Sequence, residues 1–338
     1  MESTIGVLLL NLGGPDSIRA VKPFLYNLFS DREIIRLGPS FMQRPLAWLI
    51  STLRAGRGRQ MYSFIGGKSP INDITVAQAE ALEGVLNSSR ITEQGARSFR
   101  VYVGMRYWHP LIKDSVQRIH QDGVNELVVL SMYPHYSRTT TGSAIAEFKR
   151  ASVGYGLQDA GCKIRYIESW YDFPPYIDAL TEAVYEGISG FEGKEAFLLY
   201  SAHGLPLSFV REGDPYPEHI KKTVELLNKR LSEAPYNVKE IRWALSYQSK
   251  IGRRDWLSPS TEETIIRLSR EGVRNLLIIP ISFVSDNIET LYEIGIYYRD
   301  IAIKHRMNMR RCPSLNTSGR FIQALKELVM GKEVMGDG

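Results

Sequence analysis

Asp122-Gly123-Val124-Asn125-Glu126-Leu127-Val128-Val129-Leu130 and Glu271-Gly272-Val273-Arg274-Asn275-Leu276-Leu277-Ile278-Ile279 share one pattern: a charged residue, a glycine, and then a largely apolar run. The glycine reads as a helix C-cap. An apolar run without alternation reads as a strand covered on both faces, the signature of a parallel sheet. Working outward, residues 6–12, 100–105 and 126–132 form one set of such runs, and residues 196–200, 241–246 and 275–282 a second, with helical patterns such as 219–231 and 260–270 between them. Right-handed crossovers then predict an α/β protein of two similar doubly wound domains with parallel sheets, with a cleft where their strand ends meet; the likeness has two readings, a duplication or the resemblance that any two α/β domains share. The expected division is 1–160 and 161–338, the last helix packing back on the first domain.

A chain of 338 residues suits two domains of ordinary size. With 43% hydrophobic and 23% charged residues it has the composition of a folded globular protein. A net charge of +5, without any block of like charge, argues against nucleic-acid binding. Cys162 and Cys312 are far apart and in no C-x-x-C spacing, so no disulfide framework, zinc site or iron–sulfur ligand set is legible, and a reducing cytoplasm is the expected location. Met1-Glu2-Ser3-Thr4 lacks the basic start of a signal peptide, and no run approaches the roughly 18 apolar residues that span a bilayer.

Two strands run into chemistry. Residues 196–200 lead into Ser201-Ala202-His203-Gly204-Leu205-Pro206, and residues 275–283 lead into Val284-Ser285-Asp286-Asn287-Ile288-Glu289-Thr290-Leu291-Tyr292-Glu293. Ligands of open parallel sheets bind beyond the carboxyl ends of the strands, so these two ends predict one site. Of six histidines, His203 alone follows a strand and precedes a tight glycine turn, where an imidazole serves as base or metal ligand. Asp286, Glu289 and Glu293, at i, i+3 and i+7, fall on one face of an expected α-helix. Such a stripe is a solvated surface, a proton relay or a cation path; with one imidazole it makes a weakly held Fe(II) site. Tyr62 stands where a P-loop ending in Gly67-Lys68-Ser69 needs its first glycine, and Leu12-Gly13-Gly14-Pro15 lacks the G-x-G-x-x-G spacing. Tyr62, Arg106, Tyr107, Trp108, Tyr133, Tyr136, Trp256 and Phe283 suit a flat ligand, with Arg54, Arg106 and Ser69 placed to hold carboxylates at its edge; about half of these aromatics are equally explained as core. Between 36 and 59 an apolar segment is edged by Arg44, Arg54, Arg57 and Arg59, either a helix packed on the core or a lip (about 37–59) touching a membrane or a large flat ligand.

Taken in order, Leu10-Asn11-Leu12-Gly13-Gly14-Pro15, Ile65-Gly66-Gly67-Lys68-Ser69-Pro70-Ile71, Met105-Arg106-Tyr107-Trp108-His109-Pro110, Tyr133-Pro134-His135-Tyr136-Ser137, the His203 turn, Gly213-Asp214-Pro215-Tyr216-Pro217, Tyr247-Gln248-Ser249-Lys250 and the Asp286 segment resemble the ferrochelatase family over nearly the whole chain. The resemblance implies two Rossmann-like domains of the chelatase fold and a lyase that inserts Fe(II) into protoporphyrin IX with release of two protons, the last step of haem synthesis. It implies no organic cofactor, iron being a substrate. By similarity His203 would ligate iron or accept a pyrrole proton, with Glu289 as its partner across the macrocycle. Glu293 and Asp286 would extend the acidic path. Leu12, Tyr62, Arg106, Tyr133, Trp256 and Phe283 would match porphyrin-pocket positions, and Ser69 and Arg54 a propionate edge. Asn287 stands where many members carry histidine, and Lys68 where they carry a third glycine. The cysteine-rich tail of the animal form is missing, so no [2Fe–2S] cluster and a bacterial-type enzyme are expected, cytoplasmic with peripheral contact at the inner membrane face. The rivals are a chelatase acting on coproporphyrin III and a non-catalytic porphyrin or haem carrier.

Overall fold

The computed structural model describes residues 4–88, 98–157, 159–191, 195–250 and 255–331. Residues 332–338, which hold the cysteine-free end noted above, lie outside the described residues, as do residues 1–3. The chain forms two compact units, residues 1–169 with 316–338, and residues 170–315.

The first unit holds a four-stranded sheet of β1 (Thr4–Asn11), β2 (Ser98–Met105), β3 (Glu126–Ser131) and β4 (Lys163–Ile167), in the order β2-β1-β3-β4 with every pair parallel. β1 is central, and Val7 to Leu10 are fully buried, as an unalternating apolar run demands. One face of the sheet packs Leu8, Leu10, Leu127 and Val129 against Ile112, Val116, Ile119 and Phe148 from the flanking helices. The expected boundary at 160 would have cut this sheet, because β4 pairs with β3; the division falls after Ser169. The last helix, Gly319–Met330, belongs to this unit: Gln78 donates to Asn316 O at 2.7 Å, and Arg165 to Leu328 O at 3.3 Å.

The second unit repeats the plan with β5 (Phe197–His203), β6 (Trp243–Gln248), β7 (Asn275–Ile279) and β8 (Asn308–Arg311), ordered β6-β5-β7-β8 and again all parallel. Its core packs Leu199, Leu276 and Ile278 against Ile265, Leu268, Ile294, Tyr298 and Ile301. β4 and β8 escaped the sequence reading because edge strands are short, and Lys163-Ile164-Arg165 and Asn308-Met309-Arg310-Arg311 mix polar with apolar residues. The glycine caps of the repeat are real: Gly123 and Gly272 adopt φ of +66° and +87°, and their N–H groups bond to His120 O and Ser269 O in the preceding helices.

Met132 N donates to Leu10 O and Ile281 N to Ser201 O, so Leu12-Gly13-Gly14-Pro15 corresponds to His203-Gly204-Leu205-Pro206. The first unit puts a leucine where the second puts an imidazole. Each unit also carries a π-helical segment after its third strand, at Arg138–Gly142 and Glu289–Tyr298. π-Turns are rare and concentrate at functional sites.

Candidate active site

In a sheet ordered 2-1-3-4 the direction of winding reverses between the first and third strands, and ligands bind there. In the second unit that point lies between β5 and β7. His203 is the last residue of β5, and Phe283, Asp286 and Glu289 follow β7. The turn after β7 is anchored to β5: Ile281 N donates to Ser201 O, and His203 N donates to Ser282 Oγ at 2.9 Å. Tyr216 reaches in from the helix it opens, Tyr216–Ser232, its hydroxyl 3.0 Å from His203 O and 2.7 Å from Ser282 Oγ. Phe283 meets the imidazole edge-on, ring centroids 5.9 Å apart. Gly204 is required beside it. A Cβ there would stand 2.7 Å from Gln248 O and 3.3 Å from the indole of Trp256, so a glycine lets the Trp256 ring close over the turn. Burial pushes the His203 imidazole below its ordinary pKa, opposed by the nearby Glu293. Its Nδ1 is sealed from solvent without a partner among the described residues, which leaves Nε2 to meet a ligand.

The acidic residues part company. Asp286 precedes the π-helix, and its Oδ1 accepts from Arg311 at 2.8 Å, Thr290 Oγ1 at 2.8 Å and Ser314 Oγ at 2.9 Å. These bonds tie Asp286 to the scaffold of the turn that carries the other two acids. Asn287 caps the same turn, its Oδ1 accepting from Thr290 N at 2.9 Å while its own N–H donates to Thr290 Oγ1 at 3.0 Å. The expected α-helical face is replaced by a π-helix from Glu289 to Tyr298, whose wider turn re-aims the carboxylates. Glu293 is fixed by Ser249, through its N–H at 2.9 Å and its hydroxyl, and by Tyr298 Oη at 2.8 Å. Ser249 adopts a left-handed φ of +64° to deliver both donors. Glu289 is the least bound of the three. Burial pushes its carboxyl up to about 7, the neighbouring Glu293 adding to the rise and its own backbone N–H opposing it. A carboxyl poised near neutrality can exchange a proton or ligate a passing divalent ion, and a neutral imidazole either donates from Nε2–H or, in the other tautomer, offers Nε2 as a ligand.

In the first unit, Leu12 and Arg106 share one sheet end, since Arg106 N bonds to Asn11 O at 2.9 Å and Tyr107 N to Leu12 O at 3.0 Å. Tyr133 follows β3 at the same end. Ser69 is 3% exposed and packs on Gly14, where a Cβ would stand 2.5 Å from it. Arg106 is already engaged, its NH2 2.8 Å from Asp31 Oδ2, its Nε 2.8 Å from Ser143 Oγ and its NH1 3.6 Å from Glu147. Tyr107 lies in the core and donates to Asp31 at 2.6 Å. Arg54 and Tyr62 sit on the helix Gln43–Ser63, Tyr62 buried at its end and Arg54 exposed, its guanidinium over the Phe29 ring at 5.7 Å with no bound carboxylate among the described residues. Besides Tyr62 this helix buries Gln43, Ala47, Ser51 and Ala55, small or polar side chains at four-residue spacing, and turns Trp48, Leu49 and Leu53 outward. Phe41 just before it is 76% exposed, Trp48 56% and Leu53 74%. The core needs none of them.

Ser282, Tyr216, Gln248, Ser249 and Tyr298 were missed as site residues by the sequence reading. Gln248 and Ser249 carry a faint signal, as polar residues ending an otherwise apolar strand. Tyr216 lies in the ordered motif Gly213–Pro217, but its contacts, like those of Tyr298, are tertiary and show in no local pattern.

An α/β fold with an imidazole and a buried carboxyl at a switch point is suited to exchanging protons and to meeting a divalent ion. In fold the chain is similar to SirB from Bacillus subtilis, solved with Fe3+, at a TM-score of 0.54 and 11% identity, covering 97% of this chain and 94% of that one. The chain belongs to the ferrochelatase family, whose sequence profile matches residues 4–333. It is 47% identical to the ferrochelatase of Geotalea uraniireducens over 97% of this chain and 98% of that one. It is 45% identical to that of Picosynechococcus sp. over 96% and 82%. It is accordingly a metal-chelating lyase acting on a porphyrin.

Proposed function

We propose that this chain inserts Fe(II) into protoporphyrin IX to give protohaem, releasing two protons. The observation that carries the choice of substrate is the exposed apolar face of Phe41, Trp48, Leu49 and Leu53, which suits a lipophilic macrocycle. Leu12, Tyr62, Arg106, Tyr133, Trp256 and Phe283 are assigned to the pocket, with Arg54 and Ser69 at the propionate edge. Arg54 is the more available of the two, being free of any bound acid among the described residues. His203 and Glu289 face the macrocycle. Glu289, with its carboxyl near 7, takes up a pyrrole proton at neutral pH and passes it on, with Glu293 beside it as a fixed carboxylate. A rigid apolar site that binds the bent macrocycle best exposes the nitrogen lone pairs and so lowers the barrier to metal entry.

Iron enters as substrate, and the proposed reaction calls for no organic cofactor. No helix of the described residues is long and apolar enough to cross a membrane. We place the enzyme in the cytoplasm, the apolar face of Gln43–Ser63 resting on the inner membrane surface. The test is anaerobic absorbance spectroscopy with Fe(II) and either protoporphyrin IX or coproporphyrin III, with Glu289→Gln as control. Faster turnover of protoporphyrin IX, lost in the control, is expected. Preference for coproporphyrin III would overturn the substrate, and binding without turnover would make the protein a carrier.

A further inference from the structure

His203 and Gln248 are the last paired residues of β5 and β6. Side chains alternate along a strand and aligned residues of a parallel pair share a face, so both stand on the face that carries Ser201 and Ser246. Behind them runs a chain of hydroxyls sealed from water. Ser246 Oγ lies 3.0 Å from Thr261 Oγ1, Thr261 Oγ1 lies 2.8 Å from Ser201 Oγ, and Ser201 Oγ donates to Gln248 Oε1 at 2.6 Å. The three hydroxyl residues are 0% exposed and Gln248 is 1% exposed. The last bond orients the carboxamide: Oε1 is taken, and the NH2 group is turned away from the serine. That Nε2 is buried with no partner among the described residues, and so is Nδ1 of His203. Buried polar groups are costly unless bonded, and these two sit at aligned positions on one face.

An amide NH2 can only donate, whereas a ring nitrogen donates or accepts according to the tautomer. We infer that Gln248 is a positioning residue for His203: its Nε2–H donates to Nδ1, directly or through one buried water, and holds the neutral imidazole with its hydrogen on Nε2. The opposite tautomer sets two donors against each other, and a water between them would accept twice with both of its own hydrogens still to place. His203 therefore presents an N–H to the site in the resting enzyme, matched to an acceptor such as an unprotonated macrocycle nitrogen, and proton uptake falls to Glu289. The identity of that acceptor rests on the porphyrin reading; the tautomer does not.

The experiment is long-range 1H–15N correlation spectroscopy on the full-length, 15N-histidine-labelled protein without porphyrin or metal, the His203 signals being identified by their loss in His203→Gln. The wild type is expected to show the Nε2–H pattern. Gln248→Glu, which replaces the donor by an acceptor, should move the hydrogen to Nδ1, and Gln248→Met should leave a mixture. An Nδ1–H pattern in the wild type, or a pattern unmoved in both variants, overturns the inference. Ser201→Ala, which frees the carboxamide to turn, gives the same mixture and serves if the Gln248 variants do not fold. Zn(II) insertion into protoporphyrin IX is followed in parallel. Gln248→Met should lower kcat by about tenfold with KM within about twofold, and a loss carried by KM alone contradicts a positioning role. A wild type with the Nε2–H pattern and no metal insertion would sink the porphyrin reading and leave the tautomer assignment standing.

Discussion

Glu289 offers a test in which stability and function move in opposite directions. Its carboxyl has an ordinary value of 4.5 and is pushed up to about 7 in the folded chain, chiefly by burial. Such a rise means that the fold disfavours the ionised form by about 3 kcal/mol, an upper figure for a group that keeps some contact with solvent. Below about pH 4.5 the group is protonated in both states and contributes no cost; as pH rises towards 7 the unfolded chain ionises while the folded one resists, so stability declines, and above about 7 the full cost is present. Glu289→Gln keeps the shape and removes the charge. Urea unfolding of the second unit, followed by near-UV circular dichroism, should show the variant more stable than wild type by about 2–3 kcal/mol at pH 8, the gain shrinking to nearly nothing at pH 4.5. Metal insertion should be lost at every pH. A gain independent of pH, or a loss of stability at pH 8, would refute the argument that burial of a proton-exchanging carboxyl strains this site.

Three further perturbations separate chemistry from scaffold. His203→Ala removes a reacting group and leaves Phe283 and Trp256 in place, so porphyrin binding, read by fluorescence quenching, should persist while metal insertion disappears. Gly204→Ala drives a methyl group to 2.7 Å from Gln248 O, a backbone atom that cannot swing aside, and should cost about 1–3 kcal/mol of stability together with activity, measured by urea unfolding and turnover. Trp48→Ser combined with Leu53→Ser alters side chains that the core does not use, so stability should stay within about 0.5 kcal/mol while co-sedimentation with anionic vesicles falls; unchanged sedimentation would contradict the membrane-facing assignment.

Much of the architecture was written in local pattern. The glycine caps at 123 and 272 and the apolar runs that start at 126 and 275 exposed both sheets, because a strand buried on two faces must be apolar throughout and the preceding helix needs a left-handed residue to stop. The same reading put His203 and Glu289 at strand ends. It failed where the signal is not local. β4 and β8 lie at sheet edges and lack a continuous apolar run. Asp286, Glu289 and Glu293 look like one helical stripe at 3.6 residues per turn, yet a π-helix begins at Glu289, and Asp286 is claimed by Arg311, twenty-five positions further along.

Periodicity, turn residues and ordered motifs are properties of neighbouring residues, and from them alone follow two parallel α/β sheets, the strand ends that bear chemistry and membership of a chelatase family. Which carboxylates are held by donors, which nitrogen of His203 is sealed, and that Gln43–Ser63 turns Trp48, Leu49 and Leu53 to solvent came from packing in three dimensions. Those outcomes depend on desolvation and on hydrogen-bond partners brought from distant segments, Ser249 to Glu293 and Ser201 to Gln248 among them, and no local pattern encodes such distances.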